Sequence, residues 1–249
     1  PERPPLVAGV RPDRLPVSLA QKRMWFINQF DLDSPAYNIA LAVRLTGDLD
    51  EDAMQDAVAD VMDRHESLRT RFPMVEGEPV QVILPTEDVV PDLSPIVTTE
   101  AELPEHISRL AGAGFDVTVS VPVRAALFRT DPGEHVLVIV VHHISADGFS
   151  MAPLARDVMT AYAARTGDRH RTGRRCRCST PISHSGSTGY SATPTTPDSL
   201  LAAQLDYWTH TLAGLPELLA LPTDHPRPTQ QSMRGGIHSF SIDHRCTAD

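Results

Sequence analysis

The sequence predicts a mixed α/β fold organised around a central sheet, and three observations carry that prediction. Residues 136–141 (Val136, Leu137, Val138, Ile139, Val140 and Val141) form one unbroken apolar run, the pattern of a strand covered on both faces. Ala53, Met54, Ala57, Val58, Val61 and Met62 recur at helical spacing and make the stripe of an amphipathic helix. Between such segments lie shorter stretches with strand-like alternation, and no internal repeat is present.

Taken in order, residues 1–15 are rich in Pro, Arg and Asp and read as an extended linker. Residues 17–30 place Leu19, Met24, Trp25, Ile27 and Phe30 on one broad helical face. A strand is expected over 39–45. Asp50 then offers an N-cap to the striped helix, because its carboxylate can accept from otherwise unpaired first-turn N–H groups. Residues 68–72 and 80–84 are expected to be strands around a turn at Glu76-Gly77. A helix follows over 103–113, then strands over 121–129 and 135–143. Phe149, Met151, Leu154, Val158 and Tyr162 start a further helix. Residues 167–199 break the pattern, with Ile182 as their one large aliphatic residue. Helical spacing returns at Leu201, Leu205, Trp208 and Leu212, and Pro222, Pro226 and Pro228 mark a crossing segment that cannot be helix.

The bulk chemistry excludes several classes. A formal charge of −10 argues against general nucleic-acid binding, which needs Lys and Arg to neutralise phosphates. No apolar run approaches the ~20 residues of a bilayer span, and no basic-then-apolar leader opens the sequence, so a cytoplasmic location is expected. Beginning at Pro1, the chain reads as a piece of something longer. Three cysteines, Cys176, Cys178 and Cys246, are too few for a disulfide framework and lack the second ligand pair of a zinc site.

The sharpest local feature is His142-His143-x-x-x-Asp147-Gly148, placed between the buried strand and a helix. Successive strand residues face opposite ways, so one imidazole can pack inward while the other faces a cavity. A neutral imidazole there could accept a proton from an amine or hold that amine in line for attack. Taken without wider context, the same residues also suit a structural reading: Asp147 an N-cap, His142 a core residue, His143 a surface residue.

The His-His pattern resembles the signature of the chloramphenicol-acetyltransferase-like superfamily, and further blocks narrow it. Residues 18–26 (S-L-A-Q-K-R-M-W-F) and 64–72 (R-H-E-S-L-R-T-R-F) are similar to the first two motifs of condensation domains of nonribosomal peptide synthetases. Pro35-Ala36-Tyr37-Asn38-Ile39, Gln204 to Trp208 and 221–228 also look like that family. The resemblance implies a chloramphenicol-acetyltransferase-like sandwich lobe over 16–166 and the start of a truncated second lobe over 200–249. It implies amide formation between a donor peptidyl-thioester and an acceptor aminoacyl-thioester. His143 would be the residue closest to the new bond, with His142 beside it and Gly148 beside the tunnel. Asp147 would form a buried salt bridge, for which Arg23 and Arg64 are the candidates. No metal and no cofactor of its own is implied, since phosphopantetheine belongs to upstream and downstream peptidyl carrier proteins. An adenylation domain in the same synthetase is the further partner, with no nucleic acid and no membrane.

The later motifs of the family are absent, so the chain as written is expected to be incomplete and inactive. An inactive carrier-binding or structural fragment is the non-enzymatic alternative. An epimerisation domain or a freestanding acyltransferase of the same superfamily is the enzymatic one. The fourth motif, expected within 167–199, is missing, and a disordered insertion or a reading-frame shift would account for it. If each codon starts at the third base of the one used, 174–182 can encode P-L-P-V-Q-Y-A-D, in keeping with that motif. A second shift near Pro197 would restore the frame, and a third near Cys246 would end it early.

Overall fold

A computed structural model of the chain describes residues 12–167, 200–226, 228–229 and 240–241, with the side chains of residues 200 and 201 left aside. Two compact units divide it, Pro1–Tyr207 and Trp208–Asp249. The first carries β1 (Leu15–Pro16), α1 (Leu19–Phe30), β2 (Asn38–Thr46), α2 (Glu51–Arg64), β3 (Thr70–Arg71), β4 (Met74–Val75) and β5 (Glu78–Ile83). It continues with β6 (Ile96–Val97), α3 (Leu103–Gly112), β7 (Val123–Asp131), β8 (Glu134–His142) and α4 (Gly148–Gly167). Helix α5 (Leu200–Thr211) ends this unit and enters the next.

The central sheet runs β2-β8-β7-β6, antiparallel except for the parallel β6–β7 pair, so it is a mixed sheet. Strand β8 lies inside it, and its alternate residues feed two different cores. Leu137, Ile139 and Val141 pack with Met54, Val58 and Val61 of α2 and with Leu154 and Val158 of α4. Val136, Val138 and Val140 pack with Trp25, Phe72, Leu103 and Phe115. That two-sided burial is why β8 shows no polar alternation. Each such side chain taken from water contributes about 1.5–3 kcal/mol.

The caps follow the sequence. Ser18 accepts from the Gln21 N–H while the Gln21 side chain accepts from the Ser18 N–H, a reciprocal box at the start of α1. Asp50 accepts from the Ala53 N–H at 3.0 Å at the start of α2. All six stripe residues of α2 are buried.

The segment 68–72 differs from the strand expected there. Residues Glu66–Arg69 form a 3-10 turn, and only Thr70–Arg71 pair with β5. Local bonds account for the difference: the Leu68 N–H donates to the His65 carbonyl, and Thr70 Oγ1 donates to the Glu66 carbonyl at 2.6 Å. Pro16 and Leu15, at the edge of the expected linker, pair with β5, and Arg14 binds Glu76 through both terminal guanidinium nitrogens. Glu76 and Gly77 make the tight β4–β5 turn with φ of 53° and 84°. The expected irregular segment 167–199 lies outside the described residues beyond Gly167, as do Cys176, Cys178 and Cys246. In the second unit, residues 212–226 follow the end of α5 without further helix or strand, and the expected crossing prolines Pro222 and Pro226 fall there.

Candidate active site

The loop from β8 to α4 carries the His-His pattern, and strand parity separates the two rings. His142 ends β8 in the even-numbered set and is 2% exposed, whereas His143, just past the strand, is exposed. The backbone here is pinned on both sides: the His142 N–H donates to the Pro122 carbonyl at 2.9 Å, and the His143 N–H to the Tyr37 carbonyl at 2.8 Å. Nδ1 of His142 accepts from the Ile144 N–H at 3.2 Å. A neutral His142 ring therefore carries its proton on Nε2. Burial, then the neighbouring His143 and Arg124, push the His142 pKa down to about 4. His142 is a neutral core residue at physiological pH.

Aromatic rings frame this pair. Phe115 meets His142 edge-on with centroids 5.9 Å apart, and Tyr37 lies 6.3 Å from His142 and 6.5 Å from His143. Arg124 stacks its guanidinium 3.6 Å over Phe115. Its donors go to carbonyls at the end of α3: Ala113 at 2.9 Å, Leu110 at 3.4 Å and Gly114. Asn38 donates to Ala111 and Ala113 at 2.8 and 2.7 Å, so the same helix end is held twice. Burial lowers the Arg124 pKa.

Asp147 takes the N-cap role of the structural reading and not the salt bridge that the resemblance implied. It is exposed and caps α4: its carboxylate accepts from the Ser150 N–H at 2.9 Å and the Ser150 hydroxyl at 2.7 Å. The Asp147 N–H donates back to Ser150 Oγ at 3.2 Å, closing a reciprocal cap. These bonds from Ser150, first the hydroxyl and then the backbone, hold the carboxyl below its usual range. The expected buried salt bridge to Arg23 or Arg64 is not formed among the described residues. Arg23 is exposed on α1, and Arg64 Nε lies 3.7 Å from Asp157 of α4. His65 reaches the same Asp157 oxygen at 2.8 Å. Gly148 begins α4 in open space, with no described atom within 4 Å of where a Cβ would sit. A close backbone passage occurs at Gly114, where a Cβ would overlap the Leu32 carbonyl oxygen and sit 2.6 Å from Asp33 Cα.

The structure thus brings His142, His143, Asp147 and Gly148 into one turn and leaves Arg23 and Arg64 outside their expected pairing. Sequence reasoning assigned no role to Tyr37, Phe115 or Arg124. Arg124 carries a visible signal, a cation between Val123 and Ala125 at the start of a largely apolar strand. Phe115 carries none, since nothing local ties it to His142. No cluster of described His, Cys, Asp and Glu side chains is arranged to hold a metal ion, and no described helix is long and apolar enough to cross a membrane.

The mixed α/β lobe thus presents a buried and an exposed histidine where one strand gives way to a helix. The condensation-domain family, a family of acyltransferases, matches residues 12–249, and the chain belongs to it. The probable nonribosomal peptide synthetase CymA of Salinispora arenicola is 43% identical over 244 residues, covering 96% of this chain and 3% of that protein. A dimodular nonribosomal peptide synthase of Bacillus subtilis is 39% identical over 250 residues, 96% of this chain and 10% of that one. Among solved structures, the complex of the X-domain and OxyB from teicoplanin biosynthesis matches with a TM-score of 0.80 and 33% identity. That match covers 91% of this chain and 49% of the matched chain. The starter condensation domain of rhizomide synthetase RzmA shares the fold, with a TM-score of 0.68, 22% identity and 49% of its chain covered. The chain therefore spans about half the length of the solved domains it matches, and it is a condensation-domain fragment of a nonribosomal peptide synthetase.

Proposed function

We propose that this chain supplies the histidine-bearing half of a domain that joins two carrier-bound thioesters through an amide bond. The acceptor amine attacks the donor thioester carbonyl: a C–N bond forms, the C–S bond breaks, and the amine proton passes through His143 to the leaving thiolate. Phosphopantetheine arms on upstream and downstream carrier proteins would present both substrates, and an adenylation domain of the same synthetase would load the acceptor. The observation that carries this reading is the contrast between the two rings. His142 is buried and neutral, which avoids a second positive charge when His143 takes a proton, while His143 is exposed and backbone-anchored at the strand end.

By itself the chain is proposed to be inactive. An exposed imidazole cannot exclude water or hold two thioesters in line, and both are needed to convert proximity into rate. The test is to graft this chain in place of the matching half of a related condensation domain and follow carrier-to-carrier transfer by mass spectrometry. Transfer by the graft and none by the chain alone is the expected result. A folded graft without transfer rejects the enzymatic reading, and transfer by the chain alone rejects the need for a partner half.

A second reading is a docking module without chemistry. It is favoured by the 33% identity to an X-domain solved in complex with OxyB. Stable capture of a partner protein by a graft that transfers nothing would select it.

A further inference from the structure

A cavity of about 490 Å³ opens beside the Asp147 turn, and neither His142 nor His143 lines it. Its volume falls in the range of small-molecule sites, and its walls join apolar side chains to a comparable number of polar ones. Leu15, Ile83, Met151 and Leu154 supply the apolar wall from β1, β5 and α4. His65 and Ser145 stand among the polar lining residues. The hydroxyl of Ser145 is buried and has no hydrogen-bond partner, which is unfavourable unless something in the cavity supplies one. The carboxylate of Asp157 fixes His65 through Nε2 at 2.8 Å, leaving Nδ1 for another partner. The acidic groups on the wall are Glu66 and Asp147, and no Lys or Arg lines it, so an anionic occupant is disfavoured.

We propose that this cavity receives the side chain of one of the two thioester substrates, and that this side chain is large, partly apolar and uncharged, with one hydrogen-bonding group for Ser145. The proposal rests on the condensation reading above, because Ser145 and Asp147, which line the cavity, belong to the same turn as His143. The shared chemistry is an aminoacyl thioester. A free-amine form stands for the acceptor, and an N-acylated form stands for the donor.

The test uses the full chain, isotopically labelled, titrated with N-acetylcysteamine thioesters while backbone amide shifts are followed by NMR. The probes are tyrosyl, N-acetyl-tyrosyl and aspartyl thioesters. At least one tyrosyl form should saturate, with its largest shifts at Ser145 and Ile83, and the form that does so names the substrate side. The aspartyl thioester should bind at least about tenfold more weakly, as expected when an unpaired charge faces carboxylates. Ser145→Ala should weaken the tyrosyl form by about 3- to 10-fold, the loss expected for one hydrogen bond. Ile83→Trp, which fills the cavity, should abolish the shifts at Ser145. Equal binding of aspartyl and tyrosyl forms, or no effect of Ser145→Ala, would overturn the proposal. Shifts confined to His143 and its neighbours would remove the cavity while leaving the condensation reading intact. An absence of binding by every thioester would count against both.

Discussion

His142 and His143 differ by one position and by everything that burial does to an imidazole. The alternation of β8 made the split legible in the sequence, since one ring of a strand-end pair had to turn inward. The sequence could not show which contacts would hold each ring, because Tyr37, Phe115 and Arg124 come from separate elements. A consequence follows for pH. With its folded pKa lowered from 6.5 to about 4, His142 binds fewer protons in the folded than in the unfolded chain across that window. Its contribution is therefore complete above about pH 6.5 and is lost as pH falls toward 4, by an amount on the order of 1–3 kcal/mol. Urea unfolding at pH 7 and pH 5 should show the loss, and His142→Phe should reduce the pH dependence. An imidazole shift of His142 that titrates near 6.5 would contradict it. Asp147 makes a different case, because its partner is Ser150 and not an arginine. Asp147→Ala should lower the melting midpoint, while Asp147→Asn, which can still accept from first-turn N–H groups, should retain most of it. A loss as large with Asn as with Ala would restore the idea of a buried ion pair.

Whole elements were legible where one period ran for many residues. The α2 stripe and the β8 run both formed where expected, and so did the cap at Asp50. The misread segment was 68–72, where two local hydrogen bonds favour a 3-10 turn over continued pairing. Two-residue strands such as β1, β4 and β6 carry too few residues to show alternation at all. The β4–β5 turn stores strain, because Glu76 is the one described non-glycine residue with positive φ. Glu76→Gly should relieve it and raise the melting midpoint by about 2–4 °C, since the exposed Arg14 pair it gives up contributes little. No change in melting would show that the pair and the strain balance. At the end of α3 the opposite holds. Gly114→Ala should destabilise by about 3 kcal/mol or more, because its Cβ would press on the backbone of residues 32 and 33. Denaturant unfolding close to that of the parent chain would contradict that contact.

At the scale of the molecule, one strand organises the account. β8 divides the lobe into two cores, and its end delivers both histidines to the loop before α4. The family was readable in the sequence because its blocks lie in the right order, yet the chain spans only about half of the solved domains it matches. The central claim is that His143 acts on the reacting amine while His142 supports the turn. Single-turnover peptide transfer by the grafted domain tests it most directly, comparing His143→Ala with the parent graft at unchanged melting temperature. A general-base role predicts a rate loss on the order of 10²–10⁴. Transfer at the parent rate by the folded His143→Ala graft would contradict it.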